Sequence, residues 1–67
     1  MMTAGLLIKE IMYKSDMNQS EIAKKVKCSQ VTISRLRNNR CEPEFKTLKN
    51  LIALAAKYKI NVTLDDF

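Results

Sequence analysis

The sequence predicts an all-α domain of four to five helices, and three observations support this prediction. The 67 residues include one Gly and one Pro, which leaves little room for the turns of a small β barrel. Apolar residues recur at spacings of three and four, as on one face of an amphipathic helix. Residues that cap helix N-termini, among them Thr3, Asn18 and Ser29, precede three of these segments. We expect one domain, residues 1–67, whose core is of marginal size.

The first predicted helix covers residues 4–14, with Thr3 as its N-cap. Its inward stripe comprises Leu7, Ile8, Ile11 and Met12. Leu6 and Tyr13 flank this stripe, and we expect both to remain partly exposed. The four methionines are interpreted as core filler or terminal residues rather than as ligands: Met1, Met2, Met12 and Met17.

Residues 18–37 are the stretch around which the chain is organised, because they hold two short helices joined by a tight corner. Asn18 is a good N-cap, and Glu21 stands three residues later, as the acid of a capping box does. The second helix is therefore predicted from about Gln19 to Lys25. The corner follows at residues 27 and 28.

The third helix is predicted from about Gln30 to Arg37, with Ser29 as its N-cap. Ile33 and Leu36 supply its inward face. Its outer face carries an amide, a small apolar side chain and two guanidinium groups, from Gln30, Val31, Arg35 and Arg37. Side chains of these kinds are suited to base edges in the major groove of DNA.

A loop over residues 38–43 separates this unit from a fourth helix. Asn39 can adopt the left-handed conformation that ends a helix, and Pro43 is expected at the first position of the next one. The fourth helix is expected to close the core with an apolar stripe of Phe45, Leu48, Leu51, Ile52 and Ala55.

The tail, residues 58–67, has a different pattern. Apolar residues at 60, 62 and 64 alternate with polar ones, which favours a strand over a fifth helix. A lone strand has no partner in its own chain, so we expect pairing across the twofold axis of a homodimer. The apolar residues that look surplus to one chain are the dimerisation candidates: Ile60, Val62, Leu64 and Phe67.

The net charge of +5 is concentrated in the middle of the chain. Residues 24–49 hold eight Lys and Arg against two Glu, a balance of +6, whereas residues 1–23 total −1 and residues 50–67 total zero. A focused basic region attracts polyanions. Lysine-rich faces can also simply keep a small domain in solution, but the concentration of basic residues on and beside two adjoining helices favours a nucleic-acid partner.

Other classes of function have little support in the sequence. The chain has no His, so its serines have no neighbouring base for nucleophilic catalysis, and its two thiols cannot complete a zinc site. A disulfide is the lesser alternative to two reduced thiols, with Cys28 half-buried in the corner and Cys41 in a loop. No apolar run is long enough for a membrane span, and residues 1–12 lack the features of a signal peptide. We expect no enzyme, metal or cofactor.

Residues 18–55 resemble the helix-turn-helix domain of the phage repressor and Cro type, the Xre family. The matching stretches are Asn18-Gln19-Ser20-Glu21-Ile22-Ala23, Ser29-Gln30-Val31-Thr32-Ile33-Ser34-Arg35-Leu36, Asn38-Asn39-Arg40, Pro43 and Thr47-Leu48…Leu51. The resemblance implies a lambda-repressor-like fold. Lys27 and Asn39 replace two glycines common in the family, Arg37 replaces a common Glu, and residues 62–67 differ from the usual final helix.

The resemblance also implies roles for individual residues. Base contacts are expected from Gln30, Val31, Thr32, Ser34 and Arg35. DNA backbone contacts are expected from Gln19, Ser29, Asn38, Arg40 and Lys46. The alternatives are that Gln30 is an ordinary solvated residue and that Arg35 pairs with an acid.

The leading hypothesis is a sequence-specific, Cro-like repressor of a phage or prophage that binds a palindromic operator as a homodimer. It would act in the bacterial cytoplasm, at the nucleoid, and be controlled by its concentration and not by a small-molecule effector. The alternative is an antitoxin whose partner is a toxin protein, since an edge strand in the tail is a device for docking proteins.

Overall fold

The computed structural model describes residues 2–67, which form four α-helices and one short 3-10 helix. The α-helices are α1, Ala4–Ser15; α2, Gln19–Val26; α3, Gln30–Arg37; and α4, Phe45–Lys57, and the 3-10 helix is Leu64–Asp66. The predicted all-α, lambda-repressor-like class is confirmed. Met1, interpreted above as filler or a terminal residue, lies outside the described residues.

The predicted helix caps are present. The Thr3 hydroxyl accepts a hydrogen bond from the Leu6 N–H at 3.1 Å. Asn18 and Glu21 form a complete capping box, in which Asn18 Oδ1 accepts from the Glu21 N–H at 2.9 Å and Glu21 Oε1 accepts from the Asn18 N–H at 3.2 Å. Because these bonds satisfy N–H groups that have no partner inside the helix, they fix where α1 and α2 begin.

The core lies where the four helices meet. Its buried apolar residues are Ala4, Leu7, Ile8, Ile11, Met17, Ile22, Ala23, Val26, Ile33, Leu36, Leu51, Leu54, Ala55 and Ile60. Helix α1 packs against α3 and α4, and α2 packs against the same two helices. Helices α2 and α3 therefore pack against each other, while α4 supports α2 and α1 supports α3.

Two expectations about the start of α4 are wrong. Pro43 is not the first helical residue, because Glu44 is the N-cap and α4 begins at Phe45. Phe45 is not part of the core either, since its side chain is 64% exposed. It is the first residue of α4, and the centroid of its ring lies 5.3 Å from the Lys49 ammonium. The core takes Leu54 instead, about two and a half turns further along α4.

The expected strand in the tail is wrong. Residues 60–63 have no regular secondary structure, and no strand occurs within residues 2–67. The premise that the tail is surplus to one chain also fails for Ile60, which is buried in the core of its own chain. Val62 and Phe67 pack against that core as partly buried residues, whereas Leu64 is 41% exposed. Asp66 accepts from the Met2 N–H through its carbonyl at 2.8 Å, which ties the tail to the start of α1.

Candidate nucleic-acid interface

Helices α2 and α3 are joined by residues 27–29 alone. Lys27 adopts the left-handed conformation, with φ 60° and ψ 46°, at the position where the resemblance places a Gly. The N–H groups of Lys27 and Cys28 both donate to the Ala23 carbonyl. The corner thus keeps the tight form that Gly adopts more cheaply, at the cost of a left-handed lysine.

A side chain from α4 holds the end of α2. Asn50 Nδ2 donates to the carbonyl oxygen of Val26 at 3.2 Å. Carbonyl groups in the last turn of a helix have no partner within that helix, so this bond satisfies one of them. The bond fixes the corner relative to α4 and thereby positions α3. The role of Asn50 was not predicted, because this contact depends on how two distant elements pack.

The start of α3 is ordered by a pair of hydroxyl groups. Ser29 Oγ accepts from the Thr32 N–H at 3.1 Å, and the two hydroxyl oxygens lie 2.9 Å apart. One hydroxyl proton is used between Ser29 and Thr32, and the other remains able to donate to a phosphate oxygen. Thr32 is half-buried, so its side chain lies at the edge of the exposed surface of α3.

The outer face of α3 is open to solvent. Gln30 and Arg35 are exposed, and Val31 is 57% exposed. The opposite face holds Ile33 and Leu36, which are 0% and 1% exposed. The helix is therefore anchored by one pair of side chains and presents a different set to its surroundings.

Two other residues of α3 are less exposed. Ser34 is half-buried, on the same side of the helix as the exposed set. Arg37, which the sequence analysis assigned to the outer face, is half-buried, and its Nε is buried without a hydrogen-bond partner among residues 2–67. Arg37 therefore does not belong with the three exposed side chains.

The side chains expected to contact the DNA backbone lie on several elements. Gln19 is the first residue of α2 and is half-buried. Asn38 is the C-cap of α3, and its Nδ2 donates to the Ser34 carbonyl at 3.0 Å, which leaves its second amide hydrogen free. Arg40 and Lys46 are exposed, one in the loop and one in the first turn of α4.

The loop after α3 is fixed to that helix. Asn39 takes the predicted left-handed conformation, with φ 58°. The Arg40 N–H then donates to the Arg35 carbonyl at 2.8 Å. The backbone of Arg40 is thus held at the end of α3, while its charged side chain remains exposed. Lys46 lies on a separate helix, in the first turn of α4.

The one glycine of the chain allows α1 to approach the end of α3. A Cβ atom at Gly5 would lie 2.8 Å from the Arg37 carbonyl oxygen and from Asn39 Oδ1, and 2.9 Å from the Leu36 carbonyl oxygen. Only a residue without a Cβ fits there. This role of Gly5 was not predicted, although a lone Gly inside an apolar helix is a signal for a close approach.

The thiols are free, as expected, with Cys28 half-buried and Cys41 exposed. Burial raises the pKa of the Cys28 thiol, because desolvation disfavours the thiolate. Within residues 2–67, no cluster of three or more Cys, Asp or Glu could hold a metal ion. No helix in this part of the chain is long and apolar enough to cross a membrane.

Two short helices with a three-residue corner, a buried inner face and a polar outer face define the class of helix-turn-helix DNA-binding domains. A family model described as "Helix-turn-helix" matches residues 8–66. The chain belongs to this family, which is of the Xre type, and is a DNA-binding transcription regulator. No curated protein and no solved structure matches the chain.

Proposed function

We propose that the protein is a Cro-like repressor that binds a palindromic operator as a homodimer and reads its sequence with α3. The observation that carries this proposal is the outer face of α3. Gln30, Val31 and Arg35 are exposed there, while the inward residues of the same helix are fully buried. A recognition helix must have this division, because its base-reading side chains have to remain free in the folded protein.

The chemistry of this face suggests what it reads. A glutamine amide can bind adenine through N6 and N7, an arginine guanidinium can bind guanine through O6 and N7, and a valine side chain can contact the methyl group of thymine. Ser34 and Thr32 are weaker base-contact candidates, since both are half-buried and the Thr32 hydroxyl is engaged with Ser29.

Backbone contacts would fix the position of α3 in the groove. Gln19 stands at the positive end of α2, where a phosphate is favoured. Asn38 and Arg40 each keep a donor for a phosphate oxygen, the Ser29–Thr32 hydroxyl pair keeps one free proton, and Lys46 adds an exposed ammonium group. These contacts set the register of binding without carrying sequence information.

The size of the chain fits a dimer on an operator. Its principal dimensions are 25 × 23 × 18 Å, and two copies side by side can place their α3 helices about 34 Å apart, one turn of DNA. Of the four tail candidates for dimerisation, Ile60 is buried, Val62 and Phe67 are half-buried and Leu64 alone is exposed, so the tail offers little free apolar surface for a dimer. Such a repressor would act in the bacterial cytoplasm, at the nucleoid. The antitoxin alternative loses its main support, because the edge strand on which it rested is absent from residues 60–63.

The test begins by selecting bound sites from random duplexes, which gives the operator. Arg35→Ala should then cost about 1–3 kcal/mol on that operator and relax the preference at one base pair. Arg40→Ala should lower the affinity for all duplexes by the same factor. It should also reduce the salt dependence of that affinity by about one released counterion. Lys57→Ala removes the same charge from the last turn of α4 and is the matched control.

The three substituted residues are exposed, so each variant should have the same melting temperature as the parent protein. The proposal is wrong if Arg35→Ala and Arg40→Ala bind like the parent. It is also wrong if Arg35→Ala lowers the affinity for every duplex to the same extent, because Arg35 would then contribute charge and not sequence readout.

A further inference from the structure

The side of α1 that faces away from the core carries two large apolar side chains. Leu6 is 47% exposed and Tyr13 is 84% exposed. Between them lie Lys9 and Glu10, which are also exposed. Large exposed apolar side chains grouped on one helix face mark an interaction surface more often than isolated ones do.

These four residues form one continuous surface, which we call the α1 strip. Their spacing of three, four and seven residues places them on one side of the helix, over about 10 Å of its length. A shallow groove of about 250 Å³ runs along the strip, and a second groove of about 400 Å³ adjoins it at Leu6. The second groove is lined by Met2 and by tail residues that include Val62, so the strip borders the tail.

The order of residues in the strip is self-complementary. If two α1 helices pack antiparallel across a twofold axis between positions 9 and 10, Leu6 of each faces Tyr13 of the other. Lys9 of each then faces Glu10 of the other, so the charges pair at the centre and the apolar groups pair at both ends. A twofold interface requires this property, since the same surface must be complementary to itself.

We propose that the α1 strip binds a second copy of this chain in this antiparallel arrangement. The interface would bring together two apolar contacts and two reciprocal ion pairs, with Met2 and Val62 at its edge. A single helix face buries less than the roughly 1,200–2,000 Å² of a stable dimer, so association should depend on protein concentration. This surface would give the homodimer of the proposed function its contact, but the inference does not depend on DNA binding.

Charge exchange tests the arrangement without DNA. Lys9→Glu places two acids on each strip, and Glu10→Lys places two bases, so each single variant should be more monomeric than the parent by sedimentation equilibrium. An equimolar mixture of the two variants should associate as a heterodimer, because acids then face bases. The double variant Lys9→Glu/Glu10→Lys should associate like the parent, since it keeps the pairing with its signs reversed.

Controls separate this pairing from effects of net charge and from other interfaces. Lys24→Glu and Glu42→Lys change the net charge by the same amounts at exposed positions on other elements and should leave association unchanged. Tyr13→Ala should weaken it at least tenfold. The proposal is overturned if the parent is monomeric at millimolar concentration, or if the two single variants do not associate when they are mixed. It is also overturned if Leu64→Asp alone abolishes association, which would assign the interface to the tail.

Discussion

Gly5→Ala tests the close approach of α1 to the end of α3. The new Cβ would lie 2.8–2.9 Å from three oxygen atoms, whereas ordinary contacts begin at 3.4 Å. Two of these atoms are backbone carbonyl oxygens, of Leu36 and Arg37, which cannot rotate away. Overpacking of this kind costs about 1–3 kcal/mol, and Ala gains at most about 1 kcal/mol over Gly in a helix. We therefore expect the free energy of unfolding to fall, by up to about 2 kcal/mol.

The measurement is thermal unfolding, in which each kcal/mol should lower the melting temperature by about 4–8 °C in a domain of this size. Ala53→Gly is the matched control, because Ala53 is exposed on α4 and reports only the backbone preference. If Gly5→Ala stabilises the protein by as much as Ala53→Gly destabilises it, the added Cβ meets no obstacle. The account of how α1 positions the end of α3 would then be refuted.

Three further predictions concern the corner and its supports. Lys27→Gly should raise the free energy of unfolding by about 0.5–1 kcal/mol, because it relieves a left-handed backbone; Lys27→Ala, which keeps the strain, should show no such gain in the same thermal assay. Asn50→Ala should cost about 1–3 kcal/mol in urea unfolding, since the Val26 carbonyl loses its donor, and a loss below 0.5 kcal/mol would contradict this role. Cys41 should be alkylated faster than Cys28 near pH 8, because Cys28 is half-buried and its pKa is raised, so that less thiolate is present; mass spectrometry of the peptides measures both rates, and the Cys28 rate should continue to rise with pH. Equal alkylation rates for Cys28 and Cys41 at about pH 8 would contradict the burial of Cys28.

The boundaries of α1, α2 and α3 followed from local signals and were predicted closely. The capping box at Asn18 and the cap at Ser29 depend on residues three positions apart, so the sequence contains all that is needed to find them. The left-handed conformation of Asn39 was predicted for the same reason. Gly5 and Asn50, in contrast, act through residues more than 20 positions away. Their roles depend on packing between helices, which periodicity does not contain.

The tail shows why a correct pattern led to a wrong element. Ile60 is buried, Asn61 is exposed, Val62 is half-buried and Thr63 is exposed, so the alternation of faces is real. Alternation requires an extended backbone with one side against a core, but not a hydrogen-bonded neighbour. In this chain the helices supply that core. The pattern therefore predicted the inward side chains at Ile60 and Val62. It predicted neither the exposure of Leu64 nor the absence of strand pairing.

Val31 gives the strongest argument that the outer face of α3 is present for binding and not for folding. A β-branched residue is a poorer helix former than Ala, Gln or Arg, and 57% exposure leaves it little burial to offset that preference. The loss of helix stability is small, but no burial of Val31 within the folded chain offsets it. Positions at which a sequence departs from its own local preferences are expected at functional sites. A partner that covers Val31 with an apolar group, such as the methyl of thymine, would bury this side chain and offset that cost. Gln30 and Arg35, the exposed polar side chains on either side of Val31 in the sequence, are suited to adjacent bases.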